Sequence, residues 1–362
     1  MNEWVTAMQA RKWMKKNESF LPSWHAYVGA ELGLFDEFRT ARTVEAISEK
    51  TGYPHDLLAS WVKVGVAVKH LKKRPNNRFR TSKRRCAALM GEDASPGVKA
   101  LLKEMMELHI PTMLRYPDII TSQERAEFDH ERHGGVVAET SALLEHFAIK
   151  KIKKMIREKQ VLSIVDLGCG HGGYLRKLAA EFPDVQMIGV DINQKVIDKA
   201  REMSGDYTNV RFQVGDINSW TPEDENVDVI LLHNIFHYIH PDDRAPLLDH
   251  LYSYVRPEGL ISVITPINET EHGEAFSSAF NSFFVAHSNL FALPTKKELQ
   301  EVSQNCKFDL FDLSPIVKEG SWYTFWLSPA SPVEEIHQTG WSGETTQSLK
   351  TETGTGELTR SS

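Results

Sequence analysis

The residues best suited to chemistry lie in VDLGCGHGG, residues 165–173, where an apolar run ends and a helix begins. Gly168 and Gly170 carry no side chain, so a ligand can approach the backbone there, and the helix N-terminus behind them offers free N–H groups. Glycines at 168, 170 and 173 also satisfy G-x-G-x-x-G, so they do not choose between a dinucleotide and another nucleoside ligand. Three carboxylates do. Asp166 precedes the first glycine by two residues, where an anion would repel a pyrophosphate but suits a ligand carrying an ammonium and a sulfonium. Asp191, in GVDIN, lies 21 residues after Gly170, at the distance expected of a carboxylate that accepts from ribose hydroxyls. Asp216, in VGDIN, is placed to accept from an adenine amino group, with Ile217 packing on the ring. Any one of them could be a helix N-cap. Three at successive strand ends, where open α/β sheets bind ligands, favour the nucleoside S-adenosylmethionine.

A second group follows the fourth strand-like run. LLHNIFHYIHPDD carries His233, His237 and His240. A neutral imidazole can take a proton at ordinary pH. The alternative reading of each is a packed, hydrogen-bonded core histidine, and it is the favoured one for His240.

The elements that position these residues are legible in the hydrophobic texture. Beyond Val161, continuous apolar runs of strand length alternate with amphipathic segments, as in a parallel sheet covered on both faces. The strands are expected at 161–167, 186–191, 210–214, 227–232 and 260–265, with two more near 307–313 and 321–327 closing the sheet as a hairpin. Residues 1–115 read as helical. Residues 24–38 place Tyr27, Leu32, Leu34, Phe35 and Phe38 on one face. A helix–turn–helix pattern with its turn at Gly52–Pro54 and an arm turning at Pro75–Asn77 then make a winged-helix signature. Residues 116–158 are expected to be connecting helices, within a helical stretch 95–158 broken at Pro111, Pro117 and Gly134–Gly135, and 159–328 the ligand-binding domain. From residue 329 the chain is rich in Ser, Thr, Gly and Glu and is expected to be a disordered tail.

Together VDLGCGHGG, GVDIN, VGDIN and NIFHYIHPDDR resemble the class I S-adenosylmethionine-dependent methyltransferases. The N-terminal HAYVGAELGLFDEF and the winged-helix pattern are similar to the small-molecule O-methyltransferases that dimerise through that domain. The resemblance implies an α/β, Rossmann-like fold with a mostly parallel seven-stranded sheet, its seventh strand antiparallel, behind an α-helical winged-helix dimerisation domain. It implies cofactor contacts at Asp166, Gly168, Gly170, Asp191, Ile192, Asp216, Ile217 and His233, and His237 as the general base that takes a substrate hydroxyl proton. Phe280, Phe284 and His287 would form the lid over the substrate. Those enzymes orient the base with a glutamate just before an Arg-Thr pair; the matching FALPTKKEL has Leu293, Pro294 and Thr295 instead. His287 lies 50 residues beyond His237. That spacing is similar to the metal-dependent α-keto acid C-methyltransferases, where His237 and His287, with Glu269 or Glu271, would hold iron, nickel or zinc.

Composition limits the rest. The 362 residues are 41% hydrophobic and 25% charged, enough for a sizeable core, and carry a formal net charge of −7. Three separated cysteines exclude a disulfide scaffold or zinc ribbon and fit a cytoplasmic protein. No apolar run is long enough to span a membrane. Nine Lys and Arg between Lys69 and Arg85 raise the competing reading of a winged-helix DNA-binding regulator, but the acidic chain argues against a specific nucleic-acid partner. The expected partners are a small-molecule substrate and a second copy of the chain, docked through helices bearing Trp4, Trp13, Trp24 and Phe35.

Overall fold

The structure is a computed structural model and describes residues 2–223 and 226–330. The expected tail lies, beyond its first two residues, outside the described residues.

The N-terminal part is helical. Gly33, in the left-handed region at φ 64°, ends the helix Leu21–Glu31 and turns the chain into the short Leu34–Glu37 helix. The single helical face read over 24–38 is therefore two pieces: Leu34, Phe35 and Phe38 enter the core while Leu32 stays 46% exposed. Phe35, expected on an exposed dimer surface, is fully buried. Helices Val44–Thr51 and His55–Ala67 meet at the left-handed Gly52, and strands β1 (Leu71–Arg74) and β2 (Arg78–Thr81) pair antiparallel as the arm after them. Trp61, Val62, Ile47 and Phe38 pack as the core of this region.

The chain then runs helically from Pro96, with a π-helical stretch at Met105–His109 before Pro111, and Tyr116–Ser122 beyond. Gly134 and Gly135 do not break the next helix, which is continuous over His130–Lys159. Asp129 caps it, its carboxylate accepting from Arg132 N at 2.9 Å. Each glycine costs roughly 1 kcal/mol against alanine, a cost offset further along, where Ala148, Ile149, Ile152, Met155 and Ile156 form a buried stripe against the sheet.

The sheet has seven strands: β3 (Ser163–Leu167), β4 (Gln186–Asp191), β5 (Val210–Val214), β6 (Val227–His233), β7 (Val255–Pro266), β8 (Phe308–Val317) and β9 (Trp322–Pro329). Their spatial order is β5-β4-β3-β6-β7-β9-β8. The first five are parallel; β9 runs antiparallel to β7, and β8 antiparallel to β9. Burial on both faces explains the unbroken apolar runs, with one core cluster on each side of the sheet. The order reverses between β3 and β6, so the loops after these two strands open a crevice at the carboxyl edge.

Candidate functional site

The loop after β3 is built around left-handed glycines. Gly168, Gly170 and Gly172 have φ of 73°, 54° and 71°. The N–H groups of Gly168 and Cys169 both donate to Val190 O, at 2.8 and 2.9 Å, tying the loop to the end of β4. A Cβ on Gly172 would strike the Phe212 ring at 2.5 Å, whereas one on Gly170 would meet nothing within 4 Å. Gly172 is thus a packing glycine and Gly170 leaves an open face.

Asp191 completes the loop: one carboxylate oxygen accepts from Gly170 N at 3.1 Å and the other from Asn193 N at 2.9 Å. Each oxygen keeps a free lone pair for a further donor. Asp216 lies exposed two residues beyond the end of β5, accepting from Asn218 N and Nδ2, both at 2.9 Å. Ile192 is 71% exposed at the crevice rim, and Ile217 is half-buried against the core.

Three buried polar atoms around this loop find no partner: Asp166 Oδ2, Tyr174 Oη and His233 Nδ1. Buried polar groups are nearly always hydrogen-bonded, so such a concentration marks a place for ligand atoms. Burial, with the charges of Glu145 and Asp191 added, raises the Asp166 carboxyl well above its ordinary range. Burial alone holds the His233 imidazole neutral, pushed down to about 3; its Nε2 lies 2.9 Å from Ser262 Oγ and its ring edge-on to Tyr174. Glu145, from the long helix, reaches the same place: a Cβ on Gly173 would collide with its carboxylate, which pairs with Lys177 at 2.5 Å. Three carboxylates around an open glycine fit a cationic ligand. Glu145 and Tyr174 had no motif to announce them.

Beside the loop lies a cavity of 280 Å³. Its walls are chiefly apolar, with Phe276, Phe280 and Trp322 on one side and Leu101, Leu144 and Phe147 on the other among the lining residues. Asn234 lines the cavity, and the next residue, Ile235, is what a Cβ on Gly168 would meet at 3.0 Å, so the cavity lies close to the glycine loop. His237, 4% exposed, stands in the wall. Its Nδ1 lies 3.2 Å from Thr265 Oγ1, which itself donates to Pro266 O at 3.3 Å. The threonine has one hydrogen to give, so the network assigns the proton to His237 Nδ1 and leaves Nε2 as the acceptor. Burial, and secondarily the Arg244 guanidinium, push this imidazole down to about 3. An uncharged threonine, not an acid, is thus the partner of His237 Nδ1. Phe284 packs edge-on to His237 at 5.2 Å without lining the cavity, and Phe280 does line it.

His287 is not brought to His237. Its Nδ1 donates to Phe283 O at 2.8 Å, its ring packs on Phe128 and Phe283, and it is absent from the cavity wall. Glu269 and Glu271 are exposed. Among the described residues no three His, Cys, Asp or Glu side chains gather as metal ligands, so His237, His287, Glu269 and Glu271 do not fit the metal centre of the alternative resemblance. His240 accepts from Asp242 N at 3.2 Å as the cap of a short turn. A recess of 410 Å³ beside the helix Gly173–Ala179 contains none of the expected site residues.

A glycine loop at the switch point of a sheet closed by one antiparallel strand is the arrangement of the class I methyltransferases. Residues 164–259 match the family model described as a methyltransferase domain. The chain is 31% identical over 108 residues to a trans-aconitate 2-methyltransferase of Variovorax paradoxus, covering 30% of this chain and 40% of that one. It is 28% identical over 151 residues to a malonyl-[acyl-carrier protein] O-methyltransferase of Ilyobacter polytropus, covering 42% and 55%. The match thus spans about half the length of these relatives. Solved structures agree over far more of the chain. Human N-acetylserotonin methyltransferase in complex with S-adenosylmethionine superposes with a TM-score of 0.71 at 17% identity, covering 89% of this chain and 98% of that one. The mitomycin 7-O-methyltransferase superposes with a TM-score of 0.71 at 16% identity, covering 90% and 100%. The chain has the fold these methyltransferases share, N-terminal helical part included.

Proposed function

We propose that this protein transfers a methyl group from S-adenosylmethionine to a hydroxyl of a small, largely apolar acceptor, with His237 as the proton acceptor. The observation that carries the reading is the pairing of a carboxylate-ringed glycine loop with an adjoining aromatic cavity that has a neutral imidazole in its wall. Asp191 would hold the ribose hydroxyls, Asp166 and Glu145 the ammonium end, Gly168 and Gly170 the close backbone approach, and Asp216 with Ile192 and Ile217 the adenine. His233, edge-on to Tyr174, would add a further contact to the cofactor. When bound, S-adenosylmethionine supplies an electrophilic methyl on its sulfonium.

The protein's own part is to place and deprotonate the acceptor. Phe276, Phe280 and Trp322 exclude water, so the acceptor enters by its apolar body. Thr265 fixes the His237 ring, whose Nε2 takes the hydroxyl proton as the oxygen forms its bond to the methyl carbon. The proton then rests on the imidazole and leaves to solvent on product release. Solution behaviour belongs to the same reading: a homodimer joined through the N-terminal winged-helix domain (1–115), helices 116–158 as connectors, the transferase domain over 159–328, and a cytoplasmic location suggested by three free cysteines. No helix among the described residues is long and apolar enough to cross a membrane.

The test is label transfer from methyl-tritiated S-adenosylmethionine to a phenolic acceptor, comparing wild type with His237→Ala. The reading requires a rate loss of about 100-fold or more with S-adenosylhomocysteine affinity retained. Equal rates would remove His237 from the mechanism.

A further inference from the structure

The wall of the cavity supplied by the N-terminal helices holds an ionisable pair that the proton transfer does not use. Glu104 ends the helix Pro96–Glu104, and His109 closes the π-helical stretch that follows. The extra residue in a π-helical turn re-aims the side chains on it, and such turns recur at functional sites. Here it sets Glu104 Oε1 3.2 Å from His109 Nε2, with the two side chains only 9% and 6% exposed. His109 is clamped in turn, stacked on Phe283 at 4.5 Å and tilted on Phe280 at 5.2 Å. Both Glu104 and His109 line the 280 Å³ cavity. The second oxygen, Glu104 Oε2, is buried without any hydrogen-bond partner. A carboxylate oxygen left so in an apolar wall is costly. It can be satisfied from the cavity by a donor that the bound molecule brings.

Resting on the methyltransferase reading, we propose that Glu104, fixed by His109, is the specificity-determining carboxylate of the cavity and accepts a hydrogen bond from an N–H or O–H group of the acceptor. The acceptor is then bifunctional: an apolar, cavity-filling body with the hydroxyl to be methylated at His237 and a second donor at Glu104.

The experiment is calorimetric binding of three naphthols of matched size to the full chain, with and without S-adenosylhomocysteine. The probes are 6-methyl-2-naphthol, which lacks a second donor, naphthalene-2,6-diol, which has a neutral one, and 6-aminomethyl-2-naphthol, which has a cationic one. Wild type should bind at least one of the two donor-bearing probes about 10-fold more tightly than the methyl compound. Which one gains tells a neutral donor from an ammonium. Glu104→Ala should collapse that difference. Glu104→Gln, which keeps an acceptor oxygen and should melt no earlier than wild type, should spare the diol and lose any preference for the ammonium. Equal affinities in wild type, no binding by any probe, or discrimination that survives Glu104→Ala would overturn the proposal. S-Adenosylhomocysteine is titrated separately. Failure of that titration strikes the methyltransferase reading, while the naphthol series still decides Glu104.

Discussion

The carboxylate of Asp191, at the end of β4, accepts the backbone N–H of Gly170, in the loop after β3, at 3.1 Å. The Asp191 carboxylate and the glycine turn are thus one unit. Two of the three left-handed glycines of that turn should respond differently to alanine. Gly172→Ala forces a Cβ into Phe212 as well as an unfavourable φ, and should cost about 3 kcal/mol or more in urea unfolding. Gly170→Ala meets no atom and should cost only about 1 kcal/mol, yet weaken S-adenosylhomocysteine binding by filling the open face. Equal stability losses in the two variants would contradict the distinction.

Activity should persist at unusually low pH. Protonated His237 cannot accept a proton, and burial depresses its pKa to about 3. The acid limb of kcat/KM, measured with naphthalene-2,6-diol, should therefore fall below pH 5. Half-loss near the ordinary imidazole value of about 6.5 would show that the ring is solvated in the working enzyme.

Stability should show the same sign at a site remote from the chemistry. His25 is fully buried, stacked on Trp61 at 4.1 Å, and held down to about 3, chiefly by burial and then by His70. The folded state thus binds fewer protons than the unfolded chain between pH 6.5 and 3, so this contribution is present above 6.5 and is lost as pH falls through that window. By pH 5 the loss is about 2 kcal/mol for this one group. Urea unfolding of His25→Gln at pH 7 and pH 5 should show a difference smaller than wild type by that amount. Parallel losses would refute it.

The helix Glu3–Asn17 buries none of its side chains against the rest of the chain, and Trp4, Trp13 and Met14 are 69%, 65% and 71% exposed. Such apolar exposure is rarely left wet. Sedimentation at micromolar concentration should show a dimer that Trp4→Glu with Trp13→Glu dissociates. A wild-type monomer would defeat the expectation.

The sheet was readable in the sequence because a parallel strand buried on both faces writes a continuous apolar run. The runs at 186–191 and 210–214 coincide with β4 and β5 to the residue. Helix boundaries were less legible. Gly134–Gly135 looks like a break, but a helix secured by an Asp129 cap and a long buried stripe tolerates two glycines in its first turns. Phe35 carries no mark that separates core from interface. Within the site, local motifs exposed the glycine loop and its aspartates. Glu145, Thr265 and the Glu104–His109 pair escaped because they reach the site from distant segments, and only packing brings them there. His287 misled for the converse reason: spacing from His237 says nothing about which way a ring turns once Phe283 offers its carbonyl.

The most direct measurement is a calorimetric titration of the folded chain with S-adenosylhomocysteine, alongside Asp191→Ala. The account predicts one site per chain in wild type. Affinity should fall at least about 10-fold in the variant, the effect of losing charge-assisted hydrogen bonds to the ribose. Absence of binding by folded wild type, or equal affinity in Asp191→Ala, would contradict it.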